Sequence, residues 1–140
     1  MYAKILVTLE ASDADRTIID HIKPLAKVFK SRIVLLHVAD GWAARTFGED
    51  AVSPEITSDL AYLNQVKAEL QSEGIPAETQ LAYGDPTTEI VKWVAKEHCD
   101  LIAMSTHGHR FLADFFYGTT AHSVQHQVDV PVLLVRVKHS

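Results

Sequence analysis

Two glycines and two threonines near the end of the chain have the clearest potential for chemistry. Gly108 and Gly118 are residues where the backbone can approach a ligand closely or adopt a positive φ. Thr119 and Thr120 come next and are predicted to open the last helix, which begins near Thr119 and ends before Asp129. Free N–H groups at a helix N-terminus, with hydroxyls beside them, bind phosphate. The pattern predicts a phosphate site, although glycine followed by threonine also caps helices that bind nothing.

Several ionisable side chains lie in or just after the same segment. They are His107, His109, Arg110 and Asp114. A cationic His109 or Arg110 could contact phosphate, and a loop solvated by polar side chains explains them equally well. The segment is neither a P-loop nor a dinucleotide-binding fingerprint, because the glycine-lysine-serine/threonine sequence and the glycine triplet are both missing. His122 and His126 are four residues apart on the last helix, but no third ligand is obvious, so no metal site is predicted.

Five short runs rich in β-branched and aliphatic residues are predicted strands. They are Lys4–Leu9, Arg32–Val38, Ala77–Ala82, Asp100–Ser105 and Val130–Arg136. Four are nearly continuous apolar runs, the pattern of strands covered on both faces in a parallel sheet. The third run is more polar, which indicates an edge strand.

Helical periodicity separates these runs. One apolar stripe contains Ile18, Ile22, Leu25, Ala26 and Phe29, and another contains Ile56, Leu60, Leu63, Val66 and Leu70. Ser53-Pro54 and Asp85-Pro86 each place a capping oxygen before a proline at the first helical position. Alternating strands and helices predict one α/β domain over residues 1–140 with right-handed crossovers. In such folds ligands bind beyond the carboxyl ends of strands, where the strand order reverses.

The composition limits the classes of partner. The chain is 47% hydrophobic and 22% charged, with a formal charge of −5, and its lysines and arginines form no block or stripe. Nucleic acid is therefore not an expected partner. No secretory signal and no apolar run of ~20 residues is seen, so we expect a cytoplasmic protein that does not contact membranes. Cys99 is the only cysteine, which fits a reducing compartment.

The whole chain resembles the universal stress protein family. The matching motifs are Ile5–Ser12, Leu35–Val38, Gly84-Asp85-Pro86, Asp100-Leu101-Ile102, Thr106-His107-Gly108 and Val130–Arg136. The resemblance implies a five-stranded parallel sheet in the order 3-2-1-4-5 with helices on both faces. This is a Rossmann-like fold of the adenine-nucleotide α-hydrolase-like type. It also implies a homodimer in which the last strands, Val130–Arg136, meet.

Some members of that family bind ATP and others do not. The binding members carry a glycine, two residues, a second glycine, nine residues, and a third glycine followed by serine or threonine. Gly108, Gly118 and Thr119 match the later part of this pattern, while Ser105 stands at the first glycine and adds a side chain where ribose would approach. In the first loop, Thr8 replaces the usual proline.

The resemblance assigns roles to the remaining site residues. Backbone N–H groups at Gly108, His109, Gly118, Thr119 and Thr120 would hold phosphates. Val38 would offer main-chain bonds and an apolar face to adenine, and Met104 belongs to the same contact set. Glu10 replaces the usual aspartate and would accept a hydrogen bond from ribose or adenine. Its side chain is one methylene longer than that of aspartate, so its reach differs.

These features predict a homodimeric regulatory protein that binds ATP, AMP or ADP, with Mg²⁺ or Mn²⁺ bridging phosphate oxygens. No catalytic triad and no pair of carboxylates is visible, so any ATP hydrolysis is expected to be slow. The alternative is a family member that binds no nucleotide and acts as a protein-interaction dimer. Ser105 and Thr8 favour that alternative.

Overall fold

The structure is a computed structural model that describes residues 1–39, 54–106 and 115–138, with side chains at all of these except 54–57 and 115–119. Strands and helices alternate along the described residues. In chain order they are β1 Lys4–Thr8, α1 Asp15–Phe29, β2 Arg32–Ala39, α2 Pro54–Ser72, β3 Ala77–Tyr83, α3 Pro86–Glu97, β4 Leu101–Thr106, α4 Phe115–Gln127 and β5 Val132–Arg136.

The five strands form one parallel sheet in the order β3-β2-β1-β4-β5. Ile5 in the central strand pairs with Ile33 on one side and with Leu101 on the other. The α/β fold and the strand order implied by the resemblance are therefore confirmed. The polar run beginning at Ala77 forms an edge strand, as its composition predicts, since an edge is covered less completely than the centre of a sheet.

Helices cover both faces of the sheet. On the first face, α1 and α2 enclose a buried cluster that includes Val7, Leu9, Ile18, Ile22, Leu63, Val66, Leu70 and Ala103. On the second face, α3 and α4 enclose another, which includes Leu6, Val38, Ile90, Val94, Met104, Ala121 and Val124. We call these the α1/α2 face and the α3/α4 face.

The apolar stripe predicted for α2 is wrong at one residue. Leu63, Val66 and Leu70 are buried as expected, but Leu60 is 43% exposed. The residue that continues the buried spacing toward the helix start is Asp59, whose side chain is only 14% exposed and contacts His37. A charged residue thus occupies the inward position, because a buried histidine lies opposite it.

Local signals set the ends of the elements. The Asp85 carboxylate accepts a hydrogen bond from the Thr88 backbone N–H at 2.9 Å and Pro86 occupies the first turn of α3, as predicted. β5 begins at Val132, two residues later than predicted. Pro131 has no N–H to donate to a ladder, although its carbonyl still accepts from Ile102 at 3.1 Å. No helix in the described part of the chain is long and apolar enough to cross a membrane.

Candidate functional site

The carboxyl ends of β1, β2 and β4 lie side by side at one edge of the sheet. The chain runs outward from β1 through β2 to β3, then returns to place β4 on the other side of β1. The strand order therefore reverses between β1 and β4. Open parallel sheets bind ligands in the crevice at this switch point. Thr8 ends β1, and Met104 and Ser105 stand near the end of β4.

Three of the predicted site residues share the α3/α4 face at this edge. Val38 and Met104 belong to its buried cluster and are 6% and 0% exposed. Thr8 follows Leu6 by two residues, so the alternation of side chains along a strand places it on the same face. Its hydroxyl donates to the Ala103 carbonyl over a long 3.5 Å. The site therefore has an apolar floor with one weakly bonded hydroxyl.

The Ser105 side chain lies on the opposite face. Ala103, two residues earlier, and Val135, its partner on β5, both belong to the cluster of the α1/α2 face. Ser105 is 3% exposed, and its hydroxyl has no hydrogen-bond partner among the described residues. Strand alternation therefore turns this side chain away from the face of Thr8 and Met104.

Helix α4 begins one turn earlier than the sequence suggested. It starts at Phe115, so Gly118, Thr119 and Thr120 lie inside the helix rather than at its first free N–H groups. Three aromatic residues from Phe115 onward carry no helix-breaking signal, and Asp114 before them is a favoured capping type.

Some of the predicted phosphate contacts lie outside the described residues. They are His107, Gly108, His109 and Arg110. Downstream, α4 does approach the candidate site, because Ala121 and Val124 pack in the same buried cluster as Met104. Thr120 is 4% exposed. Helix α4 therefore packs on the α3/α4 face beside Met104, one of the predicted site residues.

The loop after β1 is organised by a buried carboxylate that the sequence did not single out. Asp15 is fully buried and accepts hydrogen bonds from the backbone N–H groups of Glu10, Ala11 and Ser12, at 2.8, 2.9 and 3.4 Å. Ala11 has a φ of +64°, a conformation that favours glycine. The loop that carries Glu10 is therefore held in one strained shape by its own helix start.

Tyr62 on α2 completes the shell around Asp15. Its hydroxyl donates to the carboxylate at 2.8 Å. Burial raises the pKa of Asp15, and the hydrogen bonds from Glu10, Tyr62, Ser12 and Ala11 oppose that rise. Burial, together with the negative charge of Asp15, also raises the pKa of Tyr62. An aspartate close to a helix start is a visible sequence signal, but its pairing with a tyrosine 47 residues away is not.

Two open grooves among the described residues flank α1 on its own face. The larger, of about 640 Å³, lies between α1 and α2 and includes Ile19, Val66 and Lys138 in its lining. The smaller, of about 350 Å³, lies between α1 and the end of β5. Neither contains a predicted site residue. Within the described residues, no group of three histidine, cysteine, aspartate or glutamate side chains is placed to hold a metal ion.

A parallel sheet with this strand order and helices on both faces defines a doubly wound α/β fold, in which the switch point is the usual place for a ligand. The chain belongs to the universal stress protein family, whose sequence model matches residues 1–136. Universal stress protein MJ0577 of Methanocaldococcus jannaschii is 26% identical over 159 aligned residues, covering 100% of this chain and 98% of the relative.

Solved structures agree with the fold over the full length. The structure of MJ0577 has a TM-score of 0.83 at 27% identity and covers 100% of this chain and 99% of its own. A universal stress protein in complex with cAMP has a TM-score of 0.70 at 17% identity, covering 98% of each chain. One from Archaeoglobus fulgidus in complex with dAMP reaches 0.71 at 18% identity, covering 96% and 98%. Some proteins of this fold therefore bind adenine nucleotides.

Proposed function

We propose that this protein binds an adenine nucleotide, ATP foremost, at the carboxyl edge of β1, β2 and β4, and acts as a homodimeric regulator with little or no turnover. The observation that carries the proposal is the placement of Thr8, Val38 and Met104 on one face at the switch point. Family relatives in complex with cAMP and dAMP support adenine as the base.

Each group has a chemical role in this proposal. Val38 offers main-chain bonds and an apolar surface to adenine, with Met104 beneath it. Glu10 accepts from ribose or adenine, on a loop whose backbone Asp15 already fixes. Ser105 offers only its backbone to the ligand side of this edge, because its side chain faces α1. This direction of the side chain supports the proposal, because it leaves the α3/α4 face of the edge to the nucleotide.

The phosphates are assigned to the segment before and at the start of α4. Backbone N–H groups at Gly108, His109 and Gly118, with the hydroxyls of Thr119 and Thr120, would hold them. Bound Mg²⁺ or Mn²⁺ would supply charge neutralisation between phosphate oxygens. Because α4 starts at Phe115, the proposal requires the first turn of the helix to open when phosphate binds.

The dimer is proposed through β5. This strand ends the sheet order, so its outer edge has no partner strand among the described residues. Leu134 on it is 41% exposed. An exposed apolar edge strand pairs readily with its own copy. Sedimentation equilibrium tests this, because Leu134→Lys should convert a dimer to a monomer, and a monomeric wild-type protein at high concentration would exclude the proposed interface.

Equilibrium dialysis with labelled ATP and Mg²⁺ tests nucleotide binding. We expect saturable binding near one nucleotide per chain. Gly118→Val should abolish it, because a β-branched side chain fills the space beside the phosphates, while the protein stays dimeric. A titration that does not saturate at about millimolar ATP would mean a Kd too weak for a nucleotide-binding function. That result would reject ATP binding. A nucleotide-free dimer would then support the alternative, a protein-interaction member of the family.

A further inference from the structure

The peptide group between Leu9 and Glu10 is hydrogen-bonded at both of its ends. Its carbonyl oxygen, on Leu9, lies 2.8 Å from the His37 Nδ1 atom. Its N–H, on Glu10, donates to the Asp15 carboxylate at 2.8 Å. The preceding N–H, on Leu9, donates to the Leu36 carbonyl at 2.8 Å. This peptide leads directly into the loop that carries the proposed ligand acceptor Glu10.

Helix α2 reaches both of the side chains that hold this peptide. The Asp59 Oδ2 atom lies 3.3 Å from His37 Nε2. The Tyr62 hydroxyl donates to Asp15 at 2.8 Å. Asp59 and Tyr62 are three residues apart on a helix, so they share one of its faces. One face of α2 therefore holds the loop that follows β1, called here the β1 loop, through contacts with two side chains, His37 and Asp15.

The contact made through His37 depends on whether its ring is protonated. Its ring faces a carbonyl oxygen at Nδ1 and a carboxylate at Nε2, and both of these groups only accept hydrogen bonds. A neutral imidazole has one N–H, which can donate to the Leu9 carbonyl; only a protonated ring adds a second N–H and a positive charge toward the Asp59 carboxylate, 3.3 Å from Nε2. The pair is also shielded from water, since the side chains of His37 and Asp59 are 10% and 14% exposed.

We propose that His37 is a positioning residue for the nucleotide site: as an imidazolium it ties the Leu9 carbonyl to Asp59, and its deprotonation loosens the β1 loop. The effect on nucleotide affinity rests on the proposed function, whereas the effect on the loop does not. This clasp of the Leu9 carbonyl, the His37 ring and Asp59 requires the protonated ring and is therefore weaker in alkaline solution, because the neutral ring carries only one N–H.

Other ionisable groups on the elements around His37 act differently. Glu10 and Asp15 belong to the loop and the start of α1, while Asp59 and Tyr62 belong to α2. On β3 the residue paired with His37 is the apolar Leu81. Asp59 is the described acidic side chain that pairs directly with the ring. Protonation of Asp15 would weaken its hold on Glu10 at low pH, so the two groups give pH effects of opposite sign.

Hydrogen exchange in the nucleotide-free protein measures the clasp directly. Protection of the Glu10 amide, corrected for the intrinsic exchange rate, should be about tenfold lower in mildly alkaline than in mildly acidic buffer, the loss expected for one charge-assisted contact. Asp59→Asn keeps the shape and leaves a neutral ring, so its protection should not differ between the two buffers. His21→Gln, an exposed histidine on α1, is the matched control and should retain the wild-type profile.

Two further measurements distinguish this inference from the proposed function. Ring ¹⁵N shifts of wild-type His37 report its protonation without any variant, and both nitrogens should carry protons in acidic buffer. ATP affinity should fall with rising pH in parallel with the protection, and Asp59→Asn should flatten both curves. A protein with the pH-dependent clasp but no ATP binding would refute the proposed function alone. A His37 ring that stays neutral, or protection that does not vary with pH, would overturn the clasp.

Discussion

The two faces of the sheet differ sharply at the edge where its strands end. On the α1/α2 face, the polar groups of Asp15, Tyr62, His37 and Asp59 are bonded to one another or to the backbone. On the α3/α4 face the same edge presents buried apolar side chains and the hydroxyl of Thr8, whose one bond is 3.5 Å long. The polar groups of the first face fix the loop after β1, whereas the second face has apolar side chains and one weakly bonded hydroxyl at this edge.

This difference separates the residues that shape a site from those that touch a ligand. A buried carboxylate that gathers several N–H groups fixes backbone geometry but has no capacity left for another partner. An apolar floor with a weakly bonded hydroxyl gains more from a ligand than from solvent. The comparison predicts that variants on the α1/α2 face change stability and affect binding only through the loop they hold, while variants on the α3/α4 face change binding directly.

The largest effect is expected at Asp15. Asp15→Ala removes the acceptor of three backbone N–H groups and of the Tyr62 hydroxyl, leaving buried donors unpaired. We expect a loss of about 3 kcal/mol in the free energy of unfolding, measured by urea titration. Asp13→Ala, two residues away and exposed, should change it by less than about 0.5 kcal/mol. A loss below about 1 kcal/mol for Asp15→Ala would show that the loop holds without its carboxylate.

The next effect concerns binding at Thr8. Thr8→Val keeps the side-chain shape and removes the hydroxyl on the proposed ligand face, so ATP affinity should fall about tenfold, or about 1.4 kcal/mol. Stability should change little, because the hydroxyl makes only a 3.5 Å bond. Thr79→Val on the edge strand β3 is the matched control for affinity. Equal affinities for both variants and the wild type would remove Thr8 from the site.

A smaller effect of opposite sign is expected at Ser105. Its buried hydroxyl has no partner in the described part of the chain, so Ser105→Ala should stabilise the fold by about 1 kcal/mol. Ser31 is a matched control, since it is 1% exposed but its hydroxyl donates to the Tyr2 carbonyl at 2.5 Å. Ser31→Ala should destabilise the protein by about 1 kcal/mol. Thermal or urea unfolding that ranks the two variants alike would contradict the unpaired state of Ser105.

The smallest effect is expected at Ala11. Its φ of +64° costs an L-residue energy that glycine does not incur, although glycine loses more chain entropy on folding. Ala11→Gly should therefore stabilise the loop by about 0.5 kcal/mol. Ala61→Gly, at an exposed position inside α2, should destabilise by a similar amount. Both are measured by urea unfolding, and a destabilised Ala11→Gly would show that the loop conformation is not strained.

Much of the fold could be predicted from the sequence because its signals are local. The continuous apolar runs mark buried parallel strands, and Asp85-Pro86 marks a helix start, so these elements are found within one or two residues. The start of α4 was misjudged because Gly118 and Thr119 suggested an N-terminus, whereas the residues from Phe115 onward already form helix.

The site was harder to predict because its contacts are distant in sequence. His37 and Asp59 are separated by the end of β2 and the start of α2, so no spacing pattern links them. Leu60 seemed to continue the apolar stripe, and only the fold shows that Asp59 faces inward instead. The direction of Ser105 depends on strand alternation, which becomes certain once the neighbouring clusters are known.

Methyl NMR during a titration with ATP and Mg²⁺ tests the central claim most directly. The methyl groups of Val38 and Met104 report on the α3/α4 face, and those of Ile19 and Val66 report on the groove beside α1. Nucleotide binding at the switch point predicts saturable shifts at Val38 and Met104, with those of Ile19 and Val66 unchanged. Saturable shifts confined to Ile19 and Val66, or no saturable shift at any of the four, would contradict it.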